Sequence, residues 1–339
     1  MEWMGRVAKA NPGNTAPRVA EFFAGIGLVR MAVERAGCEV VFANDISAFK
    51  RDMYANNFGA EHFLLKDVRQ VAAADLPDVD IATASFPCTD TSLAGGRAGL
   101  AGEHSGLLWE FIRILDEMGN RRPRVVMLEN VAGFATSNNG DDFQATFDAL
   151  ESFGYSCVAH QLDAADFVPQ SRRRIFIIGC LDEDPPESVP FRPVRTARLA
   201  NLIERFPAVD RIWWDDKRTQ AFLESMSDTQ RTRVEERALR ASLSWATAYR
   251  RTRNGIPVWE ARSDDLSGCL RTTRGGSSRQ AVVEAGKEEI RVRWMTGREY
   301  ARLMGAPDYD FGDATESQAR FAMGDAVCVP VIEWLARHY

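Results

Sequence analysis

The chain is poor in histidine, has no paired cysteines and has no long apolar run. Its four histidines are isolated. Its six cysteines, at positions 38, 88, 157, 180, 269 and 328, are scattered without a Cys-x-x-Cys pair. That spacing argues against a structural zinc site or any other metal centre, and it suits a reducing cytoplasm rather than a disulfide framework. No apolar stretch is long enough to span a bilayer. Residues 1–18 contain no apolar core of signal-peptide length. The expectation is a cytoplasmic chain with no membrane partner. Positive charge is also lacking overall: the net charge is −6, which does not by itself advertise nucleic-acid binding. Internal repeats and low-complexity segments are absent.

What is present is a core-forming composition. The 339 residues are 45% hydrophobic and 27% charged, enough for a sizeable core and for more than one domain. The charge is uneven. Between Arg211 and Gln280, basic residues exceed acidic ones by five, so the rest of the chain is correspondingly more acidic. A locally basic segment in an acidic chain can be a phosphate-contacting face. For Arg231–Arg240 alone, a solvated helix of mixed charge is the better reading.

Apolar runs and turn residues alternate in a regular way. Arg18–Phe23 reads as a strand followed by a helix that Gly37 ends. Glu39–Ala43 reads as a second strand, leading to Asn44-Asp45, and residues 46–57 suit a helix. A third short segment precedes Asp67. Asp80–Ala84 is a strand, Ser105–Met118 a helix, Arg124–Leu128 a strand and Asp141–Phe153 a helix. Ser156–Leu162 and Ile175–Cys180 are late strands. Such alternation predicts an α/β fold with a doubly wound sheet. After Cys180 the pattern gives way at Asp182-Glu183-Asp184-Pro185-Pro186. Residues 190–293 are rich in Arg and Trp with weak periodicity and read as a loop-rich second domain. Helical periodicity returns at Arg298–Met304 and Val331–His338. The expected organisation is a tail at 1–17, a main domain at 18–185, a smaller domain at 186–293, a hinge at 294–316, and a segment at 317–339 returning to the main domain.

The chain is organised around Ser85-Phe86-Pro87-Cys88-Thr89-Asp90, which leaves a short apolar strand and enters a loop with Gly95, Gly96, Gly99 and Gly102. A lone Cys after a strand is more often a small core hydrophobe. In an open α/β sheet, however, strand C-termini are where ligands bind and react, and Pro87 restricts the backbone that aims Cys88. Upstream, Gly25 and Gly27 form a turn before a helix N-terminus, with Asp45 about twenty residues on, where a carboxylate can accept both ribose hydroxyls. Position 30 is Arg rather than the third glycine of the dinucleotide fingerprint, which lowers the nicotinamide reading. Asp67 is either an acceptor for an adenine amino group or a plain turn residue. Glu129 is either a solvated loop residue or an acid held at the lip of the sheet. In Gln170-Ser171-Arg172-Arg173-Arg174, an extended backbone places Arg172 and Arg174 on one face; the alternative is a basic turn.

Taken together and in this order, these features resemble the cytosine-C5 DNA methyltransferase family, of the bacterial restriction–modification or phage type. Phe23–Leu28 looks like its first motif, Pro87-Cys88 its nucleophile motif, Glu129-Asn130-Val131 the motif of its catalytic Glu, and Gln170-x-Arg172-x-Arg174 its Gln-x-Arg-x-Arg motif. Met295–Phe311 and Gly324–Leu335 are similar to its last two. The resemblance covers roughly residues 18–180 and 294–339. It departs at Thr89, usually Gln; at Asp45, more often Glu; at Asp325, usually Asn; and at Leu28, frequently Gly. An ionised Asp325 cannot donate the hydrogen bond that Asn can.

The resemblance implies a Rossmann-like S-adenosylmethionine-dependent methyltransferase sheet with a smaller target-recognition domain. It implies S-adenosyl-L-methionine as cofactor and S-adenosyl-L-homocysteine as product. Phe23, Ala24, Gly25, Gly27, Leu28, Asp45, Ile46, Asp67, Val68, Pro87, Leu108, Asp325 and Ala326 are its cofactor residues. It implies catalysis by Cys88 as nucleophile, Glu129 at N3 of a flipped cytosine, Arg172 on the base carbonyl and behind the nucleophile, and Arg174 on phosphate or the catalytic loop. Double-stranded DNA is the partner, with a cognate restriction endonuclease as a second one; the family expectation is a monomer in the cytoplasm, associated with the nucleoid. In the variable domain, Arg271, Arg274, Gly275, Gly276, Arg279 and Gln280 form a loop that reads base edges or contacts phosphate only. Trp213, Trp214, Trp245 and Trp259 read as small-domain core. A transfer-RNA methyltransferase of this fold usually carries Cys-Phe-Thr, which is missing here, and a non-catalytic relative would be expected to lose Cys88 or Glu129.

Overall fold

A computed structural model describes residues 16–87, 106–185, 193–272 and 278–339. The expected tail up to residue 15, Cys88 with the glycine loop after it, and Arg274, Gly275 and Gly276 lie outside the described residues. The chain divides into two compact units: Met1–Asp163, Arg173–Arg192 and Val329–Tyr339 form the first, and Ala164–Arg172 and Pro193–Cys328 the second.

The first unit is built on seven strands. They are β1 (Arg18–Phe22), β2 (Glu39–Asp45), β3 (Phe63–Leu65), β4 (Ile81–Ala84), β5 (Val125–Val131), β6 (Ser156–Asp163) and β7 (Arg173–Cys180), with α1 (Leu28–Arg35), α2 (Ala48–Phe58), α3 (Gly106–Met118) and α4 (Asp141–Ser152) between them. The sheet order is β3-β2-β1-β4-β5-β7-β6. Every pair from β3 to β5 is parallel, while β7 runs antiparallel to both β5 and β6. Residues 125–128 of β5 are all buried, as a strand covered on both faces requires. Ala20, Phe22, Phe42, Val126 and Leu128 pack with Leu108 and Phe111 of α3 in one apolar cluster. The Phe22 and Phe111 rings meet edge to face at 5.2 Å. A large apolar side chain buried this way contributes roughly 1.5–3 kcal/mol. The order of strands reverses between β1 and β4, so the loops after these two strands open at the sheet's switch point.

The second unit is more regular than its sequence suggests. Four antiparallel strands, β8 (Ser244–Arg253), β9 (Ile256–Ala261), β10 (Gln280–Gly286) and β11 (Glu289–Trp294), form a sheet in the order β11-β10-β8-β9. Around it lie α5 (Leu199–Leu202), α6 (Asp216–Glu224), α7 (Asp228–Ala238), α8 (Gly297–Leu303) and α9 (Glu316–Asp325). The loop-rich expectation fails because β10 is buried at every position, which erases alternation, and β8 ends in exposed arginines. Trp214, Phe222, Trp259 and Trp294 cluster with ring centroids 5.1–5.8 Å apart. Trp213 lies apart from them, near Arg293, and Trp245 stacks on Arg205.

The domain boundaries also differ from expectation. Residues 164–172 join the second unit because Gln170 bridges to Ser267 and donates through Nε2 to the Leu303 carbonyl at 2.8 Å. Residues 317–328 stay there too, and only α10 (Val329–Ala336) packs on α1 of the first unit. Strand β7 begins at Arg173 rather than Ile175, because it ladders with Val131 on one side and Asp163 on the other.

Candidate active site

At the end of β1 the chain turns sharply. Phe23 takes a left-handed φ of 55°, rare for a bulky residue and a mark of a turn fixed for a purpose. Gly27 has a φ of 81°, and a Cβ there would lie 2.6 Å from the Phe58 ring, so only glycine fits. The turn is tied to β2: Asp45 accepts from the Gly25 amide at 2.9 Å through one oxygen and from the Ser47 amide at 2.8 Å through the other. An ionised carboxylate has about four acceptor positions, so two remain. Asn44, the buried neighbour of Asp45, donates to the Leu64 and Lys66 carbonyls at 2.9 and 2.8 Å, which holds the end of β3 and hence Asp67 in place. Sequence reading passed over Asn44. Asp67 accepts from the Arg69 amide at 3.0 Å and caps the short turn at Val68–Gln70. Ile46 is 68% exposed beside Asp45, whereas Val68 and Leu108 are buried.

Glu21 of β1 is fully buried below this turn, near Arg30 and Asp45. Burial pushes its carboxyl up to about 8, with Arg30 opposing the shift. It is therefore mainly protonated at neutral pH.

At the ends of β4 and β5 lies a second cluster. Glu129 and Arg174 are diagonal neighbours on one face of the β5–β7 pair, and the Arg174 Nε lies 3.0 Å from the Glu129 carboxylate. Both side chains are largely shielded. Asn130, on the opposite face and buried, donates to the Phe86 carbonyl at 3.2 Å and accepts from the Val131 amide at 2.8 Å. It fixes the segment two residues before Cys88. A strand-end Asn next to a candidate acid is the only sequence signal that could have found it. The other thiols of this unit are poor nucleophiles: burial raises Cys38, pushes Cys157 up to about 12 and Cys180 to about 11.

The remaining candidates lie in the second unit. Arg172 is buried there and donates to the Leu270 and Ala326 carbonyls at 2.7 and 2.6 Å. The two arginines expected to share a face thus serve different partners, and Arg174 is the one beside Glu129. Asp325 is exposed at the end of α9, and Ala326 follows it half-buried. Gly324 is there because a Cβ would lie 2.2 Å from the Arg271 carbonyl oxygen. Arg271 is exposed and Arg279 half-buried. Gln280 is buried against Gly268 at the start of β10, so it is an interior residue and not the groove-reading side chain expected from sequence.

A seven-stranded sheet in this order, with its glycine turn and strand-end acid flanking the switch point, is the Rossmann-like sheet of an S-adenosylmethionine-dependent methyltransferase. Solved structures of similar fold include the S. pombe Dnmt2 methyltransferase, with a TM-score of 0.67 at 18% identity over 95% of this chain and 97% of that one. Another is a putative DNA modification methyltransferase from an E. coli prophage, with a TM-score of 0.64 at 20% identity over 95% and 98%. The chain belongs to the C-5 cytosine-specific DNA methylase family, whose model matches residues 17–339. Among its relatives are the Type II methyltransferase M.NgoBI of Neisseria gonorrhoeae, 32% identical over 93% of this chain and 90% of that protein, and M.HaeII of Haemophilus aegyptius, 30% identical over 94% and 91%. The protein is accordingly a DNA (cytosine-5-)-methyltransferase.

Proposed function

We propose that the protein methylates C5 of a cytosine flipped out of a short duplex DNA site, through a covalent bond between Cys88 and C6 of the base. The observation that carries this reading is the convergence on one sheet lip of Glu129, paired with Arg174, and of Asn130, bonded to the backbone just before Cys88.

The residues at the other side of the switch point fit S-adenosylmethionine. Asp45 keeps acceptor positions for a ribose, the half-buried Asp67 has a second carboxylate oxygen, 3.5 Å from the Arg69 guanidinium, for an adenine amino group, and the exposed Ile46 offers an apolar face beside them. Phe23, Ala24, Gly25, Gly27, Leu28, Val68, Pro87 and Leu108 complete that set within the first unit. When bound, this cofactor supplies an electrophilic methyl group. Cytosine C5 is by itself a poor carbon nucleophile. Addition of the Cys88 thiolate to C6 gives the ring enamine character, so that C5 takes the methyl group. Glu129 holds N3 and shares or delivers a proton as negative charge develops on the ring. Arg174 orients Glu129, while Arg172 braces the segment that carries it. Loss of the C5 proton to a base then expels Cys88 and restores the aromatic ring. Residues 89–104, with four glycines, lie outside the described residues. Arg271 and Arg279 are DNA contacts of the second unit, and Arg274, Gly275 and Gly276, which lie outside the described residues, join that set by sequence alone.

The protein acts as a monomer in the cytoplasm, with a cognate restriction endonuclease as its partner in the cell. The test incubates the protein with methyl-labelled S-adenosylmethionine and mixed-sequence duplex DNA, then digests the product to nucleosides. Label in 5-methylcytosine alone supports the reading. Label in RNA but not in duplex DNA, or in another base, contradicts it.

A further inference from the structure

One charged patch of the second unit takes no part in the methyl transfer itself. Arg218 of α6 is exposed, and its guanidinium carbon lies 4.0 Å from the Trp214 ring centroid and 5.4 Å from that of Trp294. The guanidinium carbon of Arg279, just before β10, lies 4.5 Å from the same Trp294 ring. Two like charges therefore share one indole. Among the described residues neither guanidinium has an ion-pair partner, and the Arg279 Nε is shielded from solvent with no hydrogen-bond partner. Asp215, the carboxylate nearest in sequence, spends one oxygen capping α6 at the Arg218 amide. A third cation, Arg320, also feels the charge of Arg279, but Glu316 neutralises it at 2.7 Å. Partial burial, and after it the charge of Arg279, hold Arg218 below the ordinary arginine value, with Asp215 opposing the shift.

Repulsion between two unpaired arginines on a shared aromatic platform is relieved by an anion between them. A guanidinium has a planar fork of donors that matches phosphate, and an aromatic face fixes the plane of that fork in advance. We infer that Arg218 and Arg279 form a clamp for one backbone phosphate of the duplex DNA substrate. This inference rests on the DNA-methylating reading and deepens it. Arg279 becomes a residue that sets register without reading a base, and Arg218, which sequence did not single out, becomes its partner.

The test measures binding of the full-length protein to a mixed-sequence duplex across a salt series, for wild type, Arg218→Gln, Arg279→Gln, the double variant and Arg218→Lys. Each neutralised phosphate contributes a slope of about −0.9 to the logarithm of affinity against the logarithm of salt. Each Gln variant is expected to bind several-fold more weakly, and the double variant to lose about one unit of slope in total, because both arginines hold the same phosphate. Arg218→Lys is expected to keep the slope. A double variant with the wild-type slope but a lowered melting temperature would overturn the clamp and leave the arginines as caps on the tryptophan cluster. A loss of two full units would overturn the shared phosphate. Failure of wild type to bind duplex at any salt would instead remove the DNA reading itself, and S-adenosyl-L-homocysteine binding by the same preparations reports whether the first unit is intact.

Discussion

The two units place their buried charge for opposite ends. In the first, Glu129 and Arg174 are shielded but stand at the lip of a sheet, where a paired carboxylate has lone pairs to spare for a substrate. In the second, Arg293 and Glu299 are wholly buried and bonded through both guanidinium arms at 2.8 and 2.5 Å. Glu299 also closes the capping box of α8 with Thr296. No acceptor is left over there for a ligand. An ion pair at a strand end is an instrument of chemistry; the same pair type sealed under a helix cap sets the fold. Burial alone does not separate the two. The number of lone pairs already spent does.

That contrast can be broken most directly at Glu129. Glu129→Gln keeps the shape and removes the shared proton, so kcat is expected to fall about 10²–10⁴-fold, with the melting temperature close to wild type. Equal losses of stability and activity would erase the distinction. Arg293→Ala is expected to do the reverse. Leaving Glu299 buried without its partner costs about 3–5 kcal/mol, seen as a lower denaturation midpoint, while any protein still folded turns over normally.

A third test uses pH. The Glu21 carboxyl is pushed up to about 8 by burial in the native state but titrates at its ordinary value when unfolded. Between these two values the folded protein holds a proton that the unfolded chain has lost. Stability therefore falls as pH rises from about 4.5 to about 8 and levels off above that. The total is a few kcal/mol, at ~1.4 kcal/mol per pH unit. Glu21→Gln carries no proton to lose, so its denaturation midpoint is expected to be flatter over that window. Parallel profiles for the two proteins would show that Glu21 is not held protonated.

The smallest effect is expected at Asn130. Asn130→Ala frees the Phe86 carbonyl and loosens the approach to Cys88. A net hydrogen bond of about 1 kcal/mol predicts a several-fold fall in kcat with an unchanged KM for the cofactor.

Much of the first unit was legible because its elements follow simple periods. Buried parallel strands read as apolar runs, and each leads to a candidate site residue: Asp45 at the end of β2, Pro87 after β4 and Glu129 in β5. The second unit was opaque for physical reasons. Strand β10 is buried on both faces, β8 ends in arginines, and the core includes tryptophans whose sequence spacing carries no period. Partnerships were also invisible. Sequence placed Arg172 and Arg174 on one face, yet one braces Leu270 and Ala326 and the other meets Glu129, because a domain boundary falls between them. Gln280 looked like a base reader because polar residues near glycines suggest a loop, but the start of β10 buries it. The side chains of Asn44 and Asn130 donate to backbone carbonyls, and a carbonyl acceptor leaves no trace in sequence.

The most direct measurement is covalent trapping on duplex DNA containing 5-fluorocytosine, in the presence of S-adenosylmethionine. Fluorine at C5 cannot leave as a proton does, so the base stays bonded to the enzyme after methyl transfer. A denaturation-resistant complex with the wild-type protein, absent with Cys88→Ser and much slower to form with Glu129→Gln, is the predicted result. A complex that survives Cys88→Ser, or none at all while methylated DNA still accumulates on the unfluorinated duplex, would contradict the covalent route.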